Sequence, residues 1–496
     1  MGTTPGYRSV ADRPFQARTA GLCYAGAMDF RRIALADLAG QVREGKLSAR
    51  EVVGHALERI ESLNPVLNAF VAVDAETALA RAARIDEAVA AGRDPGPLAG
   101  IPFGVKDLED ASGFVTSHGS ALFADHAAAN ADSVLVARLK AAGAVAVGKT
   151  NTPELGWKAD TENATFGRTA NPWSTEHSPG GSSGGSAAAL AAGMVPLATG
   201  SDGGGSIRIP SSCCGLSGFK PSLGRVPSGG AHAPDWHDLS TRGLMTRRLS
   251  DAVYALDVVV GPDPSDLRSL PRPEASWPAA GIDPRLPVKV AWSPTLGYAR
   301  ADDEVLSLCR AAVEKLAALG TEVVEVDTVF DSDPVDQWLV LTSVYSARTL
   351  APFRQSERWS EVDPLLAAVV DYGARVSPID LVRAGDACYE LNSRLVELFR
   401  DVRVLLTPTC AGLPPGREIA PSGTVNGKEE ANWVRYTYPF NMTRSPAASV
   451  CVGLSSGGLP VGLQVVGPQH GDLVVIRSAA AIEEIMAFDR LAPATP

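Results

Sequence analysis

The sequence predicts an α/β fold, because segments with helical periodicity alternate with short apolar segments along most of the chain. One helix is marked by Ser48 and Glu51, which form an S-x-x-E capping box ahead of apolar residues at helical spacing. Segments such as AVAV (144–147) and GLQVV (462–466) are short and apolar and contain β-branched residues, as buried strands do. Alternating units of this kind favour a largely parallel sheet.

The predicted elements follow one another in chain order after that capping box. The first group comprises a strand over 67–73, a helix over 75–92, a helix capped by Asp132 that runs through Lys140, and the strand 144–147. The unit then repeats as a strand over 288–292, a helix near 303–318 and a strand over 322–326, with later strands at 402–407 and 462–466.

Three regions depart from this alternation. Residues 1–28 carry arginines and glycines with little periodicity, so we predict a disordered N-terminal tail. The Pro-rich segment 261–278 is either a domain boundary or a long surface loop. The segment 328–400 has a helical pattern and many aromatic residues, which at this spacing are more often core than ligand-binding.

The composition restricts the classes of function. A formal net charge of −11 argues against non-specific binding to nucleic acid or to an anionic membrane. The seven cysteines are scattered without a C-x-x-C motif, which indicates the reduced thiols of a cytoplasmic protein. No histidine pair has metal-ligand spacing and no Walker or dinucleotide motif is present, so we predict neither a metal nor a cofactor.

The segment 180–210 places serines among glycines at both ends of an Ala-rich stretch. GSSGG (181–185) matches G-x-S-x-G with Ser183 at its centre, a pattern that can form a nucleophile elbow. A proline-containing loop precedes it in place of a strand, so a flexible Gly-Ser loop is the competing interpretation. SGFK (217–220) matches S-x-x-K, but a proline follows directly, which favours a chance match.

A second serine, Ser206, follows the three glycines Gly203, Gly204 and Gly205. Such a run lets the backbone fold tightly and aim successive N–H groups at one point, which suits a developing oxyanion. An anion-binding or merely tight turn is the alternative. Lys106 is either a solvated strand-edge residue or, if buried, a base in place of histidine, because desolvation disfavours the ammonium form.

Taken together, these segments resemble the amidase signature family over roughly residues 30–485. The motifs that carry the resemblance occur in the family's order: GVKDLED (104–110), TNTPELG (150–156), NPW (171–173), the long segment 178–222, LLTPT (405–409), YPFNMTRSPAASV (438–450) and GLPVGLQVVG (458–467). The resemblance implies a single domain over 29–492, with a signature core at about 100–225 and a more variable helical insertion at about 328–400. It also implies a large, mixed, twisted central sheet flanked by helices on both faces.

The family uses a Ser–cis-Ser–Lys triad in which the nucleophile follows the relay serine by 24 positions, as 206 follows 182 here. The resemblance therefore implies that Ser182 is the relay, Ser206 the nucleophile and Lys106 the terminal base. Ser183 is therefore not expected to be the nucleophile. Gly181 precedes the peptide bond that is cis in the family and supports it structurally.

The resemblance implies further roles around the nucleophile. The amides of Gly203, Gly204, Gly205 and Ser206 form the implied oxyanion hole. The family commonly has threonine where this chain has Gly203, so the loop is expected either to be looser or to open room for a bulkier acyl group. Asp202 and Arg208 bracket the loop and are expected to support it as an ion pair or as backbone anchors.

The implied function is hydrolysis of the C–N bond of small or medium carboxamides through an acyl-enzyme, in a cytoplasmic protein for which a homodimer stays open. Gly156 and Trp157 are candidates for substrate binding, with core packing as the competing interpretation. Aryl esters and carbamates (urethanes) have the same electrophilic geometry and stay open as substrates. The alternative is the A-type component of a tRNA-dependent glutamine amidotransferase, which typically has TNMDEFAMG where this chain has TNTPELGWK. A catalytically inactive binding protein would lack a triad residue, and all three are present.

Overall fold

A computed structural model describes residues 28–493, except 231, 232, 235, 237, 275 and 278–283. All but the last residue of the predicted N-terminal tail (1–28) lie outside the described residues. In the described part, eleven strands form one sheet and helices pack against it, so the predicted α/β class is confirmed.

The helices are distributed along the whole described chain. They are α1 Leu35–Arg43, α2 Ala49–Leu67, α3 Ala75–Ala90, α4 Ala121–Ala124, α5 Val134–Ala141, α6 Gly184–Ala191, α7 Arg208–Cys214, α8 Leu249–Val259, α9 Asp303–Ala318, α10 Val335–Leu350, α11 Pro364–Gly373, α12 Pro378–Asp401, α13 Pro439–Met442 and α14 Asp472–Met486. Among the described residues, none of these helices combines the length and the apolar character needed to cross a membrane.

The strands form one large sheet and two short hairpins. They are β1 Phe70–Val73, β2 Pro102–Lys106, β3 Val145–Thr150, β4 Glu162–Asn163, β5 Gly167–Arg168, β6 Leu197–Asp202, β7 Ser217–Lys220, β8 Thr241–Thr246, β9 Lys289–Trp292, β10 Glu322–Glu325, β11 Leu405–Pro408, β12 Gly423–Val425, β13 Lys428–Glu430, β14 Ala447–Leu454 and β15 Pro460–Val466. The order in the large sheet is β1-β3-β2-β6-β8-β7-β14-β15-β11-β9-β10.

The large sheet is mixed, as the resemblance implied, and not largely parallel as the alternation of elements suggested. Parallel pairs join β2 to β3 and β6, and join β9 to β10 and β11. The strands between these two groups pair antiparallel with their neighbours. The physical reason is the length of the connections: β14 and β15 are joined by only residues 455–459, too few for the crossover that parallel pairing requires.

Helices cover both faces of the central part of the sheet. All residues of β2, β3, β6, β7, β11 and β15 are buried, and successive side chains of a strand point to opposite faces. Helices α6, α7, α8, α9 and α14 pack against these strands and against β8 and β14. The strands that are buried on both faces therefore form the centre of the core.

Several local predictions differ from the structure at element ends, among them the strand predicted over 402–407, which begins only at Leu405. The strand predicted over 67–73 begins only at Phe70, because α2 continues to Leu67 and ends at Asn68 in the left-handed region with φ of 47°. The helix predicted to be capped by Asp132 is capped instead by Ser133, whose hydroxyl accepts from the Val136 amide. The Ser48–Glu51 capping box is confirmed.

The Pro-rich segment 261–278 packs, in its described part, against the chain that follows β7. The Leu270 amide donates to the carbonyl of Gly224 at 2.8 Å, and Arg225 Nη1 donates to the Pro271 carbonyl at 3.0 Å. Trp277 is buried. These contacts favour the interpretation of this segment as a surface loop.

Helices α10, α11 and α12 occupy most of the segment that was predicted to be helical (328–400). Polar contacts join it to the short turn Glu154–Gly156 and the residues after it. Glu154 Oε2 accepts from the Asp363 amide at 2.7 Å, and Lys158 Nζ lies 3.3 Å from Asp363 Oδ2. The insertion is therefore held against the signature segments by buried and half-buried polar groups.

We expect Gly185→Ala to destabilise the protein and Gly385→Ala to stabilise it, although both glycines lie in helices. A Cβ atom at Gly185 would lie 2.4 Å from the backbone nitrogen of Asn151, whereas nothing lies within 4 Å of the corresponding position at Gly385. Overpacking at the first site lowers the free energy of unfolding by about 1–3 kcal/mol. The gain in helix propensity at the second raises it by about 0.5–1 kcal/mol.

Thermal unfolding of the two single variants beside the wild type measures both effects. An unchanged or raised midpoint for Gly185→Ala would show that the tight contact of α6 with the chain after β3 does not constrain position 185. A lowered midpoint for Gly385→Ala would contradict the expected gain in helix propensity.

Candidate active site

The carboxyl ends of β2 and β6 bring together residues that are far apart in the sequence. β2 ends at Lys106 and β6 at Asp202, and the two strands pair in parallel, so their carboxyl ends share one edge of the sheet. Helix α6, which starts directly after Ser182 and Ser183, packs against β6. The predicted base, the predicted relay and the loop with the predicted nucleophile therefore meet at this edge.

Lys106 lies among three hydroxyl groups and is fully buried. Its Nζ atom lies 2.7 Å from Ser182 Oγ, 2.9 Å from Ser183 Oγ and 3.0 Å from Ser201 Oγ. A neutral amine has two N–H donors and one lone pair, so two of these hydroxyls accept from it and the third donates to it. The cluster is thus arranged to pass a proton between a hydroxyl and the amine.

The charge state of Lys106 follows from its surroundings. The pKa of Lys106 is lowered to about 7, chiefly by burial and then by the positive charge of Arg242, while Glu109 and Asp202 act in the opposite direction. Arg242 also forms an ion pair with Glu109. Because the amine is neutral in a large fraction of molecules near pH 7, Lys106 can accept a proton there.

Two glycines allow the backbone to approach closely around Ser182. The Gly181–Ser182 peptide bond is cis, and a Cβ at Gly181 would lie 2.6 Å from the Asp160 nitrogen. Gly156 has φ of 70°, and a Cβ there would lie 3.1 Å from Ser182 Oγ. The structure therefore places Gly156, predicted to bind substrate, directly against the hydroxyl of the predicted relay.

Ser183, the centre of the G-x-S-x-G match, belongs to the same cluster but is inaccessible. It is fully buried, and its amide donates to the Ser206 carbonyl at 3.3 Å. Ser206 itself is partly exposed. The second serine loop therefore reaches solvent while the first supplies the buried contacts.

Sequence reasoning missed Ser201 and Thr199, which hold Lys106 from β6. The Ser201 hydroxyl contacts Nζ, and Thr199 Oγ1 accepts from the Lys106 backbone amide at 2.8 Å. A signal was present, because alternate residues of one strand face the same side. The parallel pairing of β2 with β6 was needed to connect that side with Lys106.

A buried ion pair fixes the loop that precedes Ser206. Asp202 and Arg208 are both fully buried, and Arg208 donates to the carboxylate through Nε at 2.9 Å and Nη2 at 2.8 Å. Burial by itself would raise the pKa of Asp202, but the charge and hydrogen bonds of Arg208 hold it well below its ordinary value. The carboxylate is therefore ionised, and it folds the loop around itself by accepting from the amides of Gly205 and Ile207.

One predicted oxyanion donor is already engaged. The Gly205 amide donates to Asp202 Oδ1 at 2.8 Å, so this predicted donor has a partner within the turn. Within the described part of the chain, the amides of Gly203, Gly204 and Ser206 make no hydrogen bond. These three N–H groups are the ones that can stabilise a negative charge beside Ser206.

Trp157 lies where the signature segment meets the helical insertion, and it packs against helices of that insertion. It belongs to a hydrophobic cluster with residues of α4, α10 and α11, among them Leu122, Leu350 and Leu366. Its indole N–H is buried without a hydrogen-bond partner among the described residues. The packing agrees with the competing interpretation of Trp157 as core.

The S-x-x-K match does not form a functional pair. Residues 217–220 form β7, in which Ser217 donates to Glu483 and Lys220 Nζ donates to the Pro221 carbonyl at 3.1 Å. A helical turn would be needed to bring the two side chains together. Elsewhere in the described ranges, no three His, Cys, Asp or Glu side chains converge as metal ligands.

The chain matches known proteins over most of its length. The family model described as Amidase matches residues 51–475. An acylamidase of Rhodococcus erythropolis is 35% identical over 462 residues, which cover 92% of this chain and 96% of that protein. The A-type component of the glutamyl-tRNA(Gln) amidotransferase of Synechococcus sp. (strain CC9605) is 36% identical over 474 residues, covering 89% of this chain and 94% of the relative.

Solved structures show the same architecture. A bacterial aryl acylamidase of the amidase signature enzymes superposes with a TM-score of 0.85 at 29% identity, covering 91% of this chain and 96% of that one. A 6-aminohexanoate cyclic dimer hydrolase, solved with its substrate, gives a TM-score of 0.84 at 28% identity, covering 95% of this chain and 100% of that one. The large mixed sheet and its helices are therefore those of this group of enzymes.

We expect the rate of any reaction that uses Lys106 as a base to fall below about pH 7, by about tenfold per pH unit, because the amine becomes protonated. Arg242→Gln removes a positive charge that lowers the pKa of Lys106, so the acidic limb moves to higher pH. Glu109→Gln removes a negative charge that raises the pKa, so the limb moves to lower pH.

The pH profile of kcat/KM for the wild type and both variants measures these shifts, and each variant is the control for the other. Displacement of both limbs in one direction would contradict electrostatic control of Lys106 by this ion pair.

Proposed function

Because the chain belongs to the amidase signature family, we propose that it hydrolyses the C–N bond of small or medium carboxamides through an acyl-enzyme on Ser206. The observation that carries the proposal is the 2.7 Å contact between Ser182 Oγ and the fully buried Nζ of Lys106. A buried amine with a pKa of about 7, linked to a serine hydroxyl, replaces the histidine of other serine hydrolases.

Acylation begins when Ser206 Oγ attacks the carbonyl carbon of the amide. The Ser206 proton passes to Ser182 Oγ, whose own proton passes to neutral Lys106. The carbonyl oxygen becomes an oxyanion that accepts from the amides of Gly203, Gly204 and Ser206, a contribution of about 3 kcal/mol for each well-placed donor.

The same relay works in reverse when the intermediate collapses. Protonated Lys106 returns its proton through Ser182 to the leaving nitrogen, so that the C–N bond breaks and a neutral amine departs. Water then attacks the acyl-enzyme, gives its proton to the relay, and releases the carboxylic acid as Ser206 regains its proton. Lys106 ends neutral, so the cycle needs no cofactor.

The same chemistry applies to aryl esters and carbamates, whose carbonyl carbon is attacked in the same geometry. We therefore include these substrates in the proposal. Support for an aryl or other bulky group comes from the indoles of Trp236 and Trp338, which lie against Gly203 and Gly204. Two proteins with similar structures are named as an aryl acylamidase and as a 6-aminohexanoate cyclic dimer hydrolase.

A cytoplasmic setting and small-molecule substrates complete the proposal. The described cysteines are all free thiols, which agrees with a reducing compartment. The net charge of −11 disfavours a nucleic-acid partner. A homodimer is compatible with both observations.

The second candidate is the A-type component of an amidotransferase, favoured by the 36% identity to the Synechococcus protein. That function would require hydrolysis of glutamine and transfer of ammonia to a partner. Comparing turnover of glutamine with turnover of a panel of aliphatic amides, anilides, aryl esters and carbamates separates the two. Glutaminase activity together with co-purification of a second polypeptide would favour the amidotransferase.

We expect a fluorophosphonate probe to label Ser206, because it is the partly exposed hydroxyl beside three unoccupied amides. Peptide mapping locates the label, and Ser206→Ala should abolish both labelling and turnover. Ser183→Ala is the matched control, since Ser183 contacts the same lysine. A label on Ser183 would overturn the assignment of the nucleophile.

We expect Lys106→Met and Ser182→Ala each to lower kcat by about 10³-fold or more, as removal of a member of a catalytic triad does. Methionine keeps the packing of the lysine stem, so the far-ultraviolet circular dichroism should be unchanged. Near-normal rates in either folded variant would exclude the proposed proton relay.

A further inference from the structure

The carbonyl groups of the loop before Ser206 accept hydrogen bonds from side chains outside the loop. Asn441 Nδ2 donates to the Asp202 carbonyl at 2.7 Å, and Trp338 Nε1 donates to the Gly203 carbonyl at 3.1 Å. Thr437 Oγ1 donates to the Gly204 carbonyl at 2.6 Å. Three consecutive carbonyls thus have a side-chain donor each, and none of these donors comes from the signature segment 178–222.

Holding a carbonyl also fixes the next amide. In a trans peptide unit the C=O of one residue and the N–H of the next point in opposite directions in one plane. The loop contains none of the cis bonds found among the described residues. Asn441 therefore sets the direction of the Gly203 N–H, and Trp338 sets the direction of the Gly204 N–H.

The glycines of the loop are packed against indole rings. A Cβ at Gly203 would lie 2.6 Å from Trp236 Cε3, and one at Gly204 would lie 2.6 Å from Trp338 Cζ2. The two indoles meet edge to face, with centroids 5.8 Å apart and planes at 87°. The space of a side chain at position 203 is therefore filled by Trp236, so the expectation that glycine loosens the loop is not supported by the packing.

The orientation of Trp338 is fixed from a third side. Its ring lies 5.5 Å from that of Tyr438, centroid to centroid, and the Tyr438 hydroxyl is bonded to Asp333 and to Asn432. A ring so enclosed cannot swing away from the loop without breaking several contacts. The indole N–H is thus preorganised toward the Gly203 carbonyl.

We infer that Trp338 is a positioning residue for the reaction proposed above: by holding the Gly203 carbonyl, it aims the Gly204 amide at the oxyanion. The inference rests on the proposed function, since it requires the oxyanion to form at Ser206. Trp338 lies on α10 of the helical insertion, so the insertion supplies part of the geometry of the oxyanion hole.

Trp338→Phe tests this inference, because it keeps an aromatic ring and removes the N–H. Misalignment of an oxyanion donor destabilises mainly the transition state, because the oxyanion is not yet formed in the bound substrate. We therefore expect kcat to fall by about 10- to 100-fold with KM nearly unchanged. The inhibition constant of a trifluoromethyl ketone, whose adduct with Ser206 carries an oxyanion, should rise by a similar factor.

Two further variants separate hydrogen bonding from packing. Incorporation of 3-benzothienylalanine at position 338 keeps the shape of the indole and removes only the N–H, so it should reproduce the loss in kcat. Trp173→Phe removes a comparable bond, from Trp173 Nε1 to the Cys214 carbonyl at 2.9 Å, and should leave kcat unchanged.

The inference is overturned if the benzothienyl variant keeps wild-type kcat and inhibitor affinity, or if only KM changes. Failure of the proposed function would appear differently, as turnover by Ser206→Ala or a fluorophosphonate label on another residue of the wild type.

Discussion

The Asp202 carboxylate, buried without access to solvent, is the constraint around which the candidate site is organised. Removing such a charge from water costs several kcal/mol, which only close partners can offset. Both oxygens accept from Arg208, and further bonds come from the Gly205 amide and from Asn441. Arg208 in turn donates to the Thr437 carbonyl and to Gln464. The Asp202–Arg208 ion pair thereby ties the end of β6 to α7, α13 and β15.

The candidate chemistry depends on a second buried ionisable group, Lys106, which, across the residues that the structure describes, lacks the close partner of opposite charge that Asp202 has. Lys106 has hydroxyl neighbours at Nζ and no carboxylate close enough to form an ion pair with it, among the residues described. Its proton is therefore weakly held, whereas the fully buried Lys149 lies 3.3 Å from Asp107. Two lysines on adjacent parallel strands thus meet different electrostatic conditions. Burial lowers the pKa of both amines, and Asp107 opposes this effect at Lys149, whereas Lys106 has hydroxyl groups at its Nζ atom.

Much of the fold and of the central cluster was predictable, because both depend on local patterns or on an ordered set of motifs. The Ser48 cap, the helices and the α/β class follow from periodicity, and the serine and lysine segments follow from the resemblance. Pairing direction in the middle of the sheet and the end of α2 depend on tertiary packing, which periodicity does not report. The hydrogen bond from Trp338 to the Gly203 carbonyl joins residues that are 135 positions apart, and neither periodicity nor motif spacing predicts a contact over that distance in sequence.

The bond between α10 and the loop before Ser206 bears on how such an enzyme can be re-engineered. If the helical insertion at about 328–400 helps to align the oxyanion donors, then exchanging it for the insertion of another enzyme changes the rate of the reaction as well as the range of substrates. A chimaera that brings in a foreign insertion without an indole at the matching place would carry a misdirected amide beside its nucleophile. An exchange of the insertion therefore has to keep Trp338, or supply another donor to the Gly203 carbonyl.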